Sequence, residues 1–131
     1  MSGRLEGLGV VITRPRADAE ALAAALEREG ARPFVFPALE IEDLPSSPAL
    51  EAALALLDKA VLAIFVSAHA AERGLAAVKR RGPWPRRVQV AAVGEATAQA
   101  LRNSGFARVI SPRERHDSEA LAAAAELQAD R

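Results

Sequence analysis

The feature that most constrains the fold of this 131-residue chain is a junction that occurs three times. In residues 10–15, 63–69 and 93–97, a run of β-forming residues is followed by a hydroxyl, glycine or arginine residue and then by a helix-forming segment. Strands joined through helices pair in parallel, because parallel pairing needs a long crossover. We therefore expect an α/β fold in which several helices begin along one edge of a sheet. At such edges α/β proteins bind ligands, often anions.

The composition is that of a globular protein, with no excess of positive charge that would favour binding to polyanions. Half of the residues are hydrophobic, which is enough to bury a core in a chain of this length. Seventeen basic and seventeen acidic side chains cancel. A nucleic-acid partner, which bulk positive charge would attract, is therefore not indicated.

The counts of reactive residues exclude several chemistries. There is no cysteine, so disulfides, thiolate metal sites and a cysteine nucleophile are excluded, and two histidines are too few for a histidine-rich metal site. The first residues lack the apolar core of a signal peptide, and the longest apolar run, 60–66, is too short to span a bilayer. The sequence predicts a cytoplasmic protein without a membrane or metal partner.

The order of periodic segments predicts two parts joined by a connector. A strand at 8–12, a helix at 18–29 that stops at Gly30 and a strand at 32–37 form a parallel βαβ unit. Apolar and acidic residues then alternate before a Pro/Ser cluster, which is typical of a connector. We expect residues 1–38 to be the first segment of one domain, 39–48 a connector and 49–131 the first half of a second domain.

The second part alternates helices and strands, which predicts a parallel sheet with helices on both faces. Helices are expected at 49–57, 70–80, 94–104 and 118–127, and strands at 61–66, 88–92 and 108–110. Three strands, the last very short, make an incomplete sheet, and the first βαβ unit is too small to bury both of its faces. Both parts therefore look unfinished.

The first junction carries Thr13 and Arg14, whose hydroxyl and guanidinium groups suit a carboxylate or phosphate, and Pro15 makes the loop rigid. The structural alternative is that Thr13 ends the strand and Arg14 is a solvated charge. Both interpretations stay open.

The later junctions combine possible ligand groups with ordinary helix starts. Ser67 is placed to cap a helix, next to free N–H groups and His69. Gly94 allows close approach to a helix start, and Thr97 lies one turn further on. Residues 117–119 form another helix start, and His116 is expected in a surface loop. The arginines at 80–81 and 86–87 suit a solvated edge better than a nucleic-acid patch.

The common catalytic and nucleotide-binding motifs are absent from the sequence. It contains no Gly-x-Gly-x-x-Gly set, no Gly-Lys-Ser/Thr and no Gly-x-Ser-x-Gly elbow, and neither histidine has an evident carboxylate partner. The residues by themselves predict an anionic small-molecule ligand at the strand ends and leave the reaction open.

Five segments in order resemble the first half of uroporphyrinogen-III synthase. They are 13–15, 34–41, 64–70, 93–98 together with Leu101 and 105–106, and 118–121. The resemblance implies two Rossmann- or flavodoxin-like parallel domains joined by a two-stranded connector, in a longer chain of which this is a fragment. His69 stands where many members of the family have asparagine.

The resemblance also implies a reaction that needs no cofactor. The linear tetrapyrrole hydroxymethylbilane is cyclised to uroporphyrinogen III with loss of water and inversion of the last pyrrole ring. The implied proton donor is a tyrosine in the family's second half, and this chain contains no tyrosine. The substrate is a polycarboxylate, which helix N-termini and hydroxyl groups suit. The substrate-binding residues expected here are Thr13, Arg14, Ser67, Ala68, His69, Gly94, Thr97 and Ser118.

Two other functions remain open at this point. One is a non-catalytic α/β module that binds an anionic small molecule at helix N-termini. The other is an interaction domain whose exposed sheet edges pair with another chain, which would give a dimer.

Overall fold

A computed structural model describes residues 3–113 and 116–129 of the chain. It contains two compact units, Met1–Leu44 and Pro45–Arg131, and the division falls within residues 39–48. Each unit contains a two-stranded parallel sheet, with one helix packed against it in the first unit and several helices in the second. The α/β class expected from the junctions is confirmed.

The first unit is a βαβ element. Strand β1 (Gly9–Ile12) leads into helix α1 (Arg16–Arg28), and strand β2 (Arg32–Val35) returns parallel to β1. Where α1 packs against the sheet, Ile12 of β1 and Ala19 of α1 are buried, with 3% and 0% exposure.

Helix α1 ends at a turn that favours glycine. Gly30 has φ +88°, and a Cβ there would lie 3.1 Å from the Cα of Glu6. The N–H of Ala31 donates to the carbonyl of Leu26 at 3.0 Å, which satisfies one of the last helical acceptors. This turn directs the chain back along β1.

The opposite face of the β1–β2 sheet carries exposed apolar side chains. Val11, Phe34 and Phe36 are 62%, 51% and 70% exposed. A single helix covers only one face of a sheet. The other face of this small unit is therefore exposed.

The second unit repeats the strand–helix order. Helix α2 (Pro48–Ala55) runs into a 3₁₀ helix (Leu56–Lys59), and then come strand β3 (Leu62–Phe65), helix α3 (Ala68–Arg81), strand β4 (Gln89–Ala92), helix α4 (Glu95–Asn103) and helix α5 (Ser118–Ala129). β3 and β4 are parallel, with Phe65 opposite Ala92. Crossovers of this kind are right-handed, which places α3 and α4 side by side on one face of the sheet, in contact with each other.

The core of the second unit lies between this sheet and α3 and α4. Small side chains form its centre. Ala71, Ala92 and Ala98 are completely buried, and their size lets the helices approach the strands closely. Larger side chains fill the remaining space. They are Val90 and Leu101, with partly buried Phe65, Leu75, Trp84, Phe106 and Val109 packed around them.

The strand expected at 108–110 is an isolated bridge instead. Ile110 donates its N–H to Val90 at 3.0 Å and accepts from Ala92 at 2.8 Å, so it runs parallel to β4 as predicted. The next donor in a parallel ladder would be residue 112, which is a proline and has no N–H. The pairing therefore stops after one residue.

The strand expected in the connector is also absent. Residues 36–47 are neither helical nor in a strand. The N–H groups of Phe36 and Ala38 continue the pairing just past β2, donating to Ile12 and Thr13 at 2.8 Å and 2.9 Å. A strand needs a partner along its length, and Pro37 and Pro45 remove donors.

Within the described residues, no helix is long and apolar enough to cross a bilayer.

Candidate functional site

The carboxyl ends of β3 and β4 lie side by side and form the most clearly defined polar edge of the second unit. The N–H of Val93 donates to the carbonyl of Phe65 at 3.2 Å, which extends the pairing just past the strand ends. Ser67 and Gly94 follow at once, and each begins a helix. Two helix N-termini therefore open at neighbouring positions on the same edge of one sheet.

Ser67 is the N-cap of α3, as the sequence predicts. Its Oγ accepts the N–H of Ala70 at 3.0 Å, and its carbonyl accepts that of Ala71. A hydroxyl that accepts in this way still has its own proton to donate. The N–H group of Ala68 precedes the first intrahelical bond and has no acceptor within the helix.

Gly94 begins α4 without a side-chain cap. The first helical bond runs from Ala98 to the Gly94 carbonyl, which leaves the N–H groups of residues 95–97 without intrahelical acceptors. The φ of Gly94 is −121°, which any residue adopts, and nothing lies within 4 Å of a Cβ built there. Glycine is therefore not needed for the turn, and what its small size provides is open space in front of the helix start.

Thr97 is placed differently from the expectation. It is only 4% exposed, so its side chain packs beneath the first turn of α4 and offers a ligand little surface. Its backbone N–H is the last of the three free donors of this helix start. We therefore assign any contact of Thr97 with a ligand to the main chain.

The charge at the start of α4 is balanced within the helix. The Glu95 carboxylate accepts from Arg102 Nη1 at 2.8 Å, two turns further along. This pair draws the carboxylate along the helix and offsets its charge. The pair is not among the contacts expected from the sequence, although a seven-residue spacing on one helix face is the signal for it.

The first unit presents the corresponding edge after β1. Thr13 and Arg14 are both exposed, and the guanidinium of Arg14 lies 3.8 Å from the carboxylate of Asp18. Pro15 is the N-cap of α1 and makes no side-chain cap bond. The helix start of α1 is thus open, with a loosely paired arginine beside it.

The start of α5 is closed by a carboxylate. Asp117 Oδ1 accepts the N–H of Ala120 at 2.8 Å, and its carbonyl accepts that of Leu121. Ser118 is the first helical residue and is exposed. An Asp immediately before a helix is a strong capping signal, whereas the substrate contact expected from the sequence is Ser118.

The chemistry that this arrangement supports is anion binding. N–H donors, a capping hydroxyl and a helix dipole at two adjacent helix starts suit carboxylate or phosphate oxygens. In residues 3–113 and 116–129, no group of three or more His, Asp or Glu side chains lies close enough together to hold a metal ion. The fold and the edge together define an α/β protein with a strand-end edge whose donors suit an anion.

Comparison with known proteins identifies the family. Residues 20–131 match the family model described as uroporphyrinogen-III synthase HemD. The chain is 30% identical over 122 residues to the uroporphyrinogen-III synthase of Escherichia coli K12 and 36% identical over 123 residues to that of Salmonella typhimurium LT2. Each alignment covers 92% of this chain and 50% of the relative, so the chain spans about half the length of the curated relatives it matches. The chain belongs to the uroporphyrinogen-III synthase family.

Proposed function

We propose that this chain carries part of the substrate-binding surface of a uroporphyrinogen-III synthase. The proposed reaction is the cyclisation of hydroxymethylbilane to uroporphyrinogen III, with inversion of the last pyrrole ring and loss of water. Two observations support it. One is the family membership, and the other is the pair of adjacent helix starts, of which α3 is capped by Ser67 and α4 begins at Gly94 without a side-chain cap. The second of these carries the assignment of residues.

In this proposal, the edge of β3 and β4 binds substrate carboxylates. The N–H groups of Ala68 and residues 95–97 donate to carboxylate oxygens, and Ser67 adds its hydroxyl proton. His69, beside them at the start of α3, stays a proposed contact. Hydrogen bonds to a charged group contribute about 1.5–3 kcal/mol each, more than neutral ones. Gly94 keeps the space in front of α4 free for the anion.

Thr13 and Arg14 are assigned the same chemistry at the edge of the first unit. The guanidinium of Arg14 suits bidentate contact with a carboxylate, and its 3.8 Å approach to Asp18 is loose enough to be exchanged for a ligand. Ser118 stays a proposed contact, with less support, because Asp117 already occupies the helix start beside it.

The catalytic contribution of these groups is positioning. Hydroxymethylbilane is flexible and can close without an enzyme to the isomer in which the last ring is not inverted. Holding its carboxylates in a curled arrangement favours the inverted closure, because geometry that is fixed in advance lowers the entropic cost of the reaction. Departure of the hydroxyl group requires a proton donor. The 131 residues contain no tyrosine, and we assign the donor to none of them.

The test is an isomer analysis with the full-length protein. Hydroxymethylbilane is added, and the products are separated after oxidation. The proposal predicts uroporphyrinogen III as the main product, and formation of the type I isomer alone would contradict it. A cytoplasmic location and pairing of sheet edges between copies remain predictions from the sequence.

A further inference from the structure

A groove at the amino-terminal edge of the β3–β4 sheet is not used by the proposed function. It lies where α3 ends and the loop to β4 begins, at the opposite end of the strands from Ser67 and Gly94. Its volume is about 640 Å³, and its apolar surface comes from Leu54, Leu57 and Val78 together with the loop at 83–85.

Arg81 crosses this groove and ties its two sides together. Its Nη1 donates to the carbonyl of Leu54 at 3.1 Å, and its Nη2 donates to the Asp58 carboxylate at 2.9 Å. On the other side of this bridge lies a smaller cavity of about 230 Å³, lined in part by Leu50 and Arg80. Leu54 and Arg81 line both spaces, so the groove continues across the surface of α2 and α3.

The end of α3 and the loop after it are strongly basic although the whole chain is neutral, and they contribute Arg80, Arg81 and Arg86 to the lining. The acids of the lining, Asp58 and Glu51, are hydrogen-bonded to Arg81 and Ser46. Residues 79–87 contain five cations and no acid. Of these, only Arg81 forms an ion pair within the part of the chain that the structure describes. The remaining cations, Lys79, Arg80, Arg86 and Arg87, give this edge a local positive potential that attracts anionic groups.

One wall of the groove is rigid because Trp84 is fixed on several sides. Its Nε1 donates to the carbonyl of Val88 at 2.9 Å. Its ring packs at 5.2 Å from Phe106 and 6.3 Å from Phe65, measured between ring centroids. A surface that is already ordered loses little entropy when a partner binds.

We propose that this groove docks an acidic peptide segment of a partner protein, with leucine-like side chains in the groove and carboxylates on the arginines. The apolar floor suits side chains, and the unpaired cations suit carboxylates. The groove is open and extended, whereas small-molecule sites enclose most of their ligand. Single-stranded nucleic acid would need accessible aromatic rings for stacking, and Trp84 is held against the core.

The test is a binding measurement on the full-length protein by fluorescence anisotropy. The probe is a short fluorescein-labelled peptide in which two leucines lie among glutamates. We expect saturable binding that weakens about tenfold or more when Arg80→Glu and Arg86→Glu are combined. The matched control combines Arg28→Glu and Arg32→Glu, two exposed cations of the first unit, and we expect it to bind as the parent protein does. Near-ultraviolet circular dichroism checks that both variants are folded.

Two further probes decide the nature of the partner. Polyglutamate of the same length tests charge alone, and we expect it to bind about tenfold more weakly than the leucine-bearing peptide. Oligothymidylate of the same charge tests nucleic acid, and we expect weaker binding here too. Absence of peptide binding, equal binding by the groove variant, or equally tight binding of either control probe would overturn the proposal. None of these measurements depends on turnover, so their outcome is independent of the proposed synthase function.

Discussion

The helix starts of α4 and α5 differ in one respect that determines what each can bind. Asp117 caps α5 with its own carboxylate, 2.8 Å from the N–H of Ala120. Gly94 begins α4 with no side chain, and a Cβ there would meet nothing within 4 Å. Both helices have a positive dipole end, but in α5 an internal anion already occupies it.

This comparison shows that a helix start is available as an anion site only when the cap leaves its donors free. Ser67 is intermediate, since it uses one acceptor for the cap and keeps a proton to donate. The same local motif therefore serves structure at one helix and is available for binding at another. Four predictions test this comparison, taken from the largest expected effect to the smallest.

The largest effect is expected from making α4 resemble α5. The extended φ of Gly94 and the space around it allow Gly94→Asp without strain. We expect kcat/KM to fall about 100-fold, because a carboxylate would occupy the donors and repel the substrate. The free energy of unfolding should rise slightly, by about 0.3 kcal/mol, because Asp caps somewhat better than Gly. Gly94→Asn is the neutral control, with nearly the same size and the same ability to cap the helix. An equal loss in both variants would mean that occupied donors or lost space, and not charge, decide.

The second prediction compares two capping serines, of which only one lies at the proposed binding site. Ser67 caps α3 and Ser47 caps α2, with cap distances of 3.0 Å and 3.2 Å. Each change to alanine should lower the free energy of unfolding by about 1 kcal/mol. Only Ser67→Ala should lower kcat/KM, by about tenfold, since it alone removes a donor at the proposed site. Steady-state kinetics that show the same loss in Ser47→Ala would assign the effect to helix stability.

Removing the internal anion of α5 is expected to affect the fold more than the activity. Asp117→Ala should cost about 1 kcal/mol in thermal or denaturant unfolding, because the N–H of Ala120 loses its acceptor. We expect kcat/KM to change by less than about threefold. A loss as large as that of Gly94→Asp would show that the α5 start belongs to the binding surface.

The smallest effect is expected from the buried hydroxyl of Thr97. With 4% exposure, its side chain serves packing, and its proposed contact is made by the backbone N–H. We expect Thr97→Val to change kcat/KM by less than about threefold. A tenfold loss with unchanged stability would restore a direct role for the hydroxyl.

The sequence predicts the strand–helix order and the parallel pairing well, because both follow from local periodicity and chain connectivity. Ser67 as a cap follows from the same local rules. The burial of Thr97 does not, since it depends on how closely α4 approaches β4. The pairing at Ile110 stops after one residue because Pro112 stands where the next N–H donor would be. This depends on the register between this segment and β4, which the sequence pattern leaves open. Asp117 as the cap of α5 follows from the same local rules as Ser67, because it directly precedes the first residue of the helix expected at 118–127.

We propose that the helix starts at Ser67 and Gly94, rather than the one closed by Asp117, bind the substrate carboxylates. The most direct measurement is backbone amide chemical-shift mapping of the full-length protein as uroporphyrinogen III is added under anaerobic conditions. We predict the largest shifts at residues 67–69 and 94–97, with small shifts at 118–121. Large shifts at 118–121 with none at 94–97 would contradict the account.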